Sequence, residues 1–168
     1  MVAPASMADF DAAPATDAAA ELLPCCASRR WINHLVSGRP YRSVAALSAA
    51  SDRVLAALDW RDVQEALAAH PRIGERTLDR RREDAWSWQE QSGVRRDDTD
   101  TRAALHAGNL AYEQRFGHVF LISASGMSGT QMLASLRARL DNQPAAERQV
   151  VRQELAKIVR LRLAKAFR

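Results

Sequence analysis

Four short stretches of this 168-residue chain carry side chains whose types and spacing suit chemistry. The first is Leu67–Ala68–Ala69–His70–Pro71–Arg72–Ile73–Gly74–Glu75, where an imidazole, a guanidinium and a carboxylate (His70, Arg72, Glu75) fall within six residues. Proline disfavours the α conformation in the residue before it, and Gly74 permits a sharp turn. The spacing therefore predicts a helix that stops at His70 and holds the imidazole on a stiff corner. Such a group can give and take protons near neutral pH; taken alone it is more often a surface or capping residue. The second stretch is Trp86–Ser87–Trp88–Gln89–Glu90–Gln91–Ser92–Gly93. If helical, it places Ser87 on one face with Glu90 and Gln91, three and four residues on. It then presents a hydroxyl, a carboxylate and an amide together, or is an ordinary exposed helix end.

The third stretch, Ser123–Ala124–Ser125–Gly126–Met127–Ser128–Gly129–Thr130, consists mostly of small residues whose backbone a ligand can approach closely. Ser128 with Gln131 forms a capping-box pattern, so a helix N-terminus aims its free N–H groups at this loop. An anionic or carbonyl-rich ligand suits it, although neither the P-loop nor the dinucleotide pattern is met. The fourth element is Arg162, near the centre of an apolar helical stripe formed by Val151, Leu155, Ile158 and Val159. A buried guanidinium needs a partner. It is either half of a structural ion pair or the anchor of an anionic substrate.

Other chemistries are poorly supplied. His34, His70, His106 and His118 show no HxxxH or HxxEH spacing, so no metal site is expected. Lys157 and Lys165 are the only lysines, which leaves few candidates for Schiff-base chemistry. Cys25 and Cys26 are adjacent and are the only cysteines, offering neither a disulfide framework nor a CxxC pattern. They read as two small apolar residues packed under a helix rather than as reactive thiols. What remains is the inventory of a cofactor-free acid/base site for a small polar anion.

The elements that must position these groups are helical. A chain of this length is most simply one domain with a real core. Residues 1 to about 20 are rich in Ala, Pro and Asp and read as a disordered leader, with the globular part spanning 21–168. Ser28, Ser43 and Asp59 are natural N-caps for helices starting at Arg29, Val44 and Trp60. Further helices are predicted over 101–116, from Ser128 to Asn142, and over 145–166 after Pro144. His118–Val119–Phe120–Leu121–Ile122 is either an extended buried segment or a helical turn. The net charge of +4 and pI near 9.7 raise the alternative of a basic helical module binding nucleic acid or a protein partner. The arginines are dispersed among acids, however, which favours a solvated surface. No apolar run reaches the roughly 18 residues of a membrane span and no signal-peptide pattern is present, so a soluble, cytoplasmic protein is expected.

Taken together and in this order, the motifs resemble 2-oxo-4-hydroxy-4-carboxy-5-ureidoimidazoline (OHCU) decarboxylases, which catalyse the last step from urate to (S)-allantoin. The resemblance is carried by Cys25–Cys26, Ser28, Arg30–Trp31, Arg39–Pro40, Ala66–Leu67, His70–Glu75, Ser87, Glu90–Gln91, Asn109, Tyr112–Glu113, Phe116–Gly117, Val119–Ile122, Ser125–Gly126, Ser128, Glu154–Leu155, Ile158 and Leu161–Leu163. It implies an all-α, multi-helix domain, usually a homodimer, with no metal or organic cofactor and a small-molecule substrate. It also implies that His70 and Glu90 are catalytic. Pro71, Ser87, Trp88, Gln89, Gln91, the segment Ile122–Ser123–Ala124–Ser125–Gly126 and Arg162 would bind substrate. Arg72 and Glu75 would brace the turn. Two positions depart from the family pattern: Ser123 stands where Cys is common, and Met127 where Arg is common.

Overall fold

The computed structural model describes residues 5–74, 86, 89–91 and 99–168. Among these, eight α-helices are defined: α1 (Met7–Ala12), α2 (Ala15–Leu22), α3 (Arg29–Ser37), α4 (Val44–Ala57), α5 (Trp60–Ala68), α6 (Thr99–Phe116), α7 (Gly129–Leu140) and α8 (Pro144–Ala166). Extended pairing among the described residues is limited to one isolated bridge, Ala5 with Phe167, so the fold is all-α. The caps act as their residue types dictate. Ser28 accepts from Trp31 N–H, Ser43 from Ala46 N–H and Asp59 from Asp62 N–H. Ser128 and Gln131 complete both halves of a capping box at the start of α7.

The chain packs as two units. One holds residues up to Ala66 together with Ala156–Arg168, the other Leu67–Leu155; α5 and α8 each contribute residues to both. In the first unit the fully buried Trp31 donates its indole N–H to Ser51 Oγ at 3.0 Å, satisfying the one polar atom that its burial would otherwise strand. Cys25 and Cys26 are buried free thiols, and burial pushes the Cys26 thiol up to about 12, well outside the reactive range. Three arginines of this unit are engaged by carboxylates: Arg29 with Glu65 at 2.6 Å, Arg30 with Asp62 at 3.4 Å and Arg160 with Asp52 at 2.9 Å. No described helix is long and apolar enough to cross a membrane.

The leader differs from the compositional expectation. From residue 5 onward it is ordered, because a few large groups in it are strongly held. Met7 and Phe10 are buried, and Phe10 meets Phe167 edge to face with ring centroids 4.8 Å apart. Arg39 Nη1 donates to the carbonyls of Phe10 and Ala13 at 2.7 and 2.8 Å, capping the end of α1. Asp11 accepts from the backbone N–H groups of Tyr41 and Arg42 at 2.9 and 2.7 Å, stabilising Arg42 at a φ of 64°. A low apolar average concealed a segment whose order comes from two buried side chains and four distant hydrogen bonds to backbone groups.

In the second unit the core is Ile73, Leu105, Tyr112, Phe120, Ile122, Ala124, Met132, Leu133 and Leu136. Gly108 lets α6 and α7 approach closely, since a Cβ there would lie 2.7 Å from Leu136 Cδ2. The ordered leader yields a direct test. Phe10→Ala should lower unfolding stability by about 3 kcal/mol in chemical denaturation, the cost of emptying a buried aromatic site. A stability equal to wild type would mean that this segment does not pack as described.

Candidate active site

Helix α5 ends at Ala68, and His70 N–H closes a tighter turn onto Leu67 C=O at 2.9 Å. The chain then turns through Pro71 to Gly74, whose φ of 84° is open to glycine with little strain. His70 is 9% exposed, and its Nε2 is closed off from solvent. Three side chains from elsewhere fix the turn. Asn109 Nδ2 donates to Ile73 C=O at 2.9 Å, and Gly74 N–H donates to Gln91 Oε1 at 2.8 Å. Arg72 forms a two-point ion pair with Glu113, Nε to Oε1 at 2.6 Å and Nη2 to Oε2 at 2.9 Å. Asn109 and Glu113 lie four residues apart on α6, so one helix face carries two of the three pins. The hydrogen bonds from Arg72 hold the Glu113 carboxyl below its ordinary 4.5. Arg72 thus braces the turn, while Glu75 lies outside the described residues.

Ser87 and Trp88 also lie outside the described residues. Gln89 and Glu90 are helical; Gln89 is exposed, whereas Glu90 and Gln91 are buried. The structure therefore joins the second cluster to the first through Gln91, whose amide oxygen is spent on the His70 turn. It joins the third cluster through packing, since Ile73 shares one apolar cluster with Ile122 and Ala124.

The segment 119–124 is neither helix nor strand. Its buried backbone is satisfied by charged side chains. Arg139 Nη1 donates to Leu121 C=O at 2.7 Å, and Ser123 N–H donates to Glu154 Oε2 at 2.7 Å. Met127 N–H then closes a turn onto Ala124 C=O at 3.0 Å, with Gly126 at a φ of 81°. Arg139 is itself held by Glu147, Nε and Nη2 lying 2.8 and 2.6 Å from Oε1. Glu147, fully buried, also accepts from Tyr112 OH and from Asn142 Nδ2, the latter at 2.7 Å. The Arg139 guanidinium lies over Phe120, 4.5 Å from the ring centroid. Burial and the bond to Glu147 push the Tyr112 phenol well above its usual range.

This network escaped the sequence reading, although a signal existed. Glu147 sits four residues before Val151 on the apolar stripe of α8, and Arg139 three after Leu136 on that of α7. An acid on one stripe and a base on the next are candidates for each other. Arg162 belongs to the first unit. It is 2% exposed there and its Nη1 donates to Pro24 C=O at 3.3 Å. Among the described residues, no three His, Cys, Asp or Glu side chains cluster to hold a metal ion.

The chain is all-helical among its described residues, with a buried histidine on a pinned turn and a buried Glu90–Gln91 pair tied to that turn through Gln91. The OHCU decarboxylase family model matches residues 11–164, and the chain belongs to that family. It is 32% identical over 145 residues to 2-oxo-4-hydroxy-4-carboxy-5-ureidoimidazoline decarboxylase of Amia calva, covering 85% of this chain and 80% of that protein. It is likewise 32% identical over 148 residues to the uric acid degradation bifunctional protein TTL of Arabidopsis thaliana. That match covers 85% of this chain but spans only 45% of the Arabidopsis protein. A crystal structure of OHCU decarboxylase in the presence of (S)-allantoin superposes with a TM-score of 0.76 at 28% identity, over 86% of this chain and 95% of that one.

The Arg72–Glu113 pair predicts a specific acid response. Because the folded carboxyl titrates below its ordinary 4.5, the pair's contribution is complete above about pH 4.5 and is lost as pH falls through the lowered value. Unfolding curves of wild type and Glu113→Gln should differ by a constant gap at neutral pH that closes in the acid range. Parallel curves down to the acid limit would contradict the clamp.

Proposed function

We propose that the chain catalyses the cofactor-independent, stereospecific decarboxylation of OHCU to (S)-allantoin, a carboxy-lyase reaction that ends the conversion of urate to allantoin. The observation that carries this reading is His70, a buried imidazole on a turn pinned at Arg72, Ile73 and Gly74, in a chain of the OHCU decarboxylase family. The substrate holds a carboxylate and a hydroxyl on one ring carbon, next to an imine carbon that bears the ureido group. When the carbon–carboxylate bond breaks, its electron pair forms a bond to the neighbouring carbon, and the imine nitrogen takes up the displaced pair together with one proton from solvent. The ring is thus its own electron sink.

In this reading His70 takes the hydroxyl proton to assist loss of CO2 and then delivers a proton to the ureido-bearing carbon, as that enolic intermediate becomes the ring carbonyl. Glu90 orients the imidazole and stabilises its charged form. Pro71, Ser87, Trp88, Gln89, Gln91 and the backbone of 122–126 hold the ring and the ureido group, and Arg162 is assigned to the substrate's anionic groups. Delivery of the proton from one face makes a single enantiomer. The enzyme is further proposed to act in the cytoplasm as a homodimer. The reading of a basic interaction module is less favoured, because several arginines it would use are engaged by carboxylates.

The test is to generate OHCU from urate with urate oxidase and hydroxyisourate hydrolase, add the protein, and follow (S)-allantoin by circular dichroism. Wild type should accelerate the appearance of the S enantiomer. His70→Asn should abolish that acceleration, with a loss of at least about a hundredfold for a missing acid/base group, while keeping the helical far-ultraviolet signal. Wild-type turnover by His70→Asn would overturn the role of His70, and an inert wild type would overturn the reading.

A further inference from the structure

Segment 119–124 is largely buried and, among the described residues, has no strand beside it; two of its backbone polar groups are taken by side chains. Both side chains depend on α8. Glu147 and Glu154 are seven residues apart, two helical turns, and therefore share a face. Glu147 holds Arg139 against Leu121 C=O, and Glu154 takes Ser123 N–H directly. In extended backbone, the N–H and C=O groups of residues i and i+2 leave the chain on one edge and those of residue i+1 on the other. Arg139 and Glu154 thus occupy the C=O of Leu121 and the N–H of Ser123, the two backbone groups that flank the N–H and C=O of Ile122. A neighbouring donor and acceptor of this kind match the N–H and C=O of a ureido group or a ring amide.

We propose that Glu154 and Arg139 are positioning residues that fix the edge of the 121–123 backbone presented to substrate. The proposal rests on the decarboxylase reading above. It assigns binding to the Ile122 peptide groups and removes Ser123 N–H from the candidates, since Glu154 already occupies it. It also accounts for how Ser123 can stand where Cys is common: the group held at this position is the backbone N–H, which either residue supplies.

Glu154 is the better handle, because it is half-buried whereas the Arg139–Glu147 pair is buried and breaking it endangers folding. Glu154→Gln retains an oxygen able to accept from Ser123 N–H; Glu154→Ala does not. In the coupled OHCU assay, Glu154→Ala should raise KM about tenfold or more while changing kcat less, the signature of lost ground-state positioning. Glu154→Gln should recover most of that loss. A wild-type KM in Glu154→Ala, whatever its Tm, would overturn the proposal. So would a Glu154→Gln variant as impaired as Glu154→Ala, which would mean that the charge rather than the accepted hydrogen bond matters. If Glu154→Ala fails to fold, Glu154→Asp, one methylene too short to keep the bond, should show the same rise in KM. A wild type inert in this assay would overturn the decarboxylase reading itself, whereas an active wild type with an unmoved Glu154→Ala would overturn only the positioning.

Discussion

The structure of the candidate site depends on one constraint: a turn that buries part of its backbone has no helix or sheet to pair it, so side chains must do it. Ile73 is 5% exposed, and its carbonyl would be stranded without Asn109. The N–H of Gly74, an exposed residue, is taken by Gln91. Stranding the buried Ile73 carbonyl would cost about 1–3 kcal/mol, a large fraction of a domain's stability. Pairing therefore selects one conformation of the turn. Arg72 and Glu113 add a bidentate clamp between the turn and α6. His70 takes its position from these contacts, and its own neighbours in sequence supply only the shape of the corner.

The same solution recurs at 119–124, with charged groups in place of amides. Arg139 is 7% exposed and Glu147 fully buried, and such a pair is tolerable only when the lone pairs and protons left over are also satisfied. Tyr112, Asn142 and Leu121 C=O complete that set. Tyr112 stands on α6 one turn beyond Asn109, so this helix supports both the His70 turn and the network beneath the 119–124 segment. The apolar cluster that contains Ile73, Ile122 and Ala124 then ties the two irregular segments together.

Much of this was legible in the sequence where the cause is local. Ser28, Ser43, Asp59 and Ser128 start helices because their side chains reach N–H groups only a few residues on, and Pro71 and Gly74 shape a turn by their own backbone preferences. What lay beyond reach is pairing across long separations. Arg72 and Glu113 are 41 residues apart, and Gln91 offers its oxygen to Gly74 rather than standing wholly free for a ligand. The leader misled for the same reason, because its order depends on Phe167 and Arg39, not on its own composition. Within the candidate site, His70, Glu90, Gln91 and the 122–126 loop are singled out by residue type and spacing. Asn109 and Tyr112 entered only as members of a family pattern, and Arg139 and Glu147 not at all.

The central claim is that the His70 turn is held by side chains rather than by its own sequence. Native-state hydrogen exchange at the Gly74 amide tests it most directly, since the acceptor of that N–H is Gln91 Oε1. The amide should be strongly protected in wild type and lose its protection in Gln91→Ala, while amides in the middle of α6 keep theirs. A Gly74 amide that exchanges in wild type as fast as one in an unstructured peptide would contradict the account.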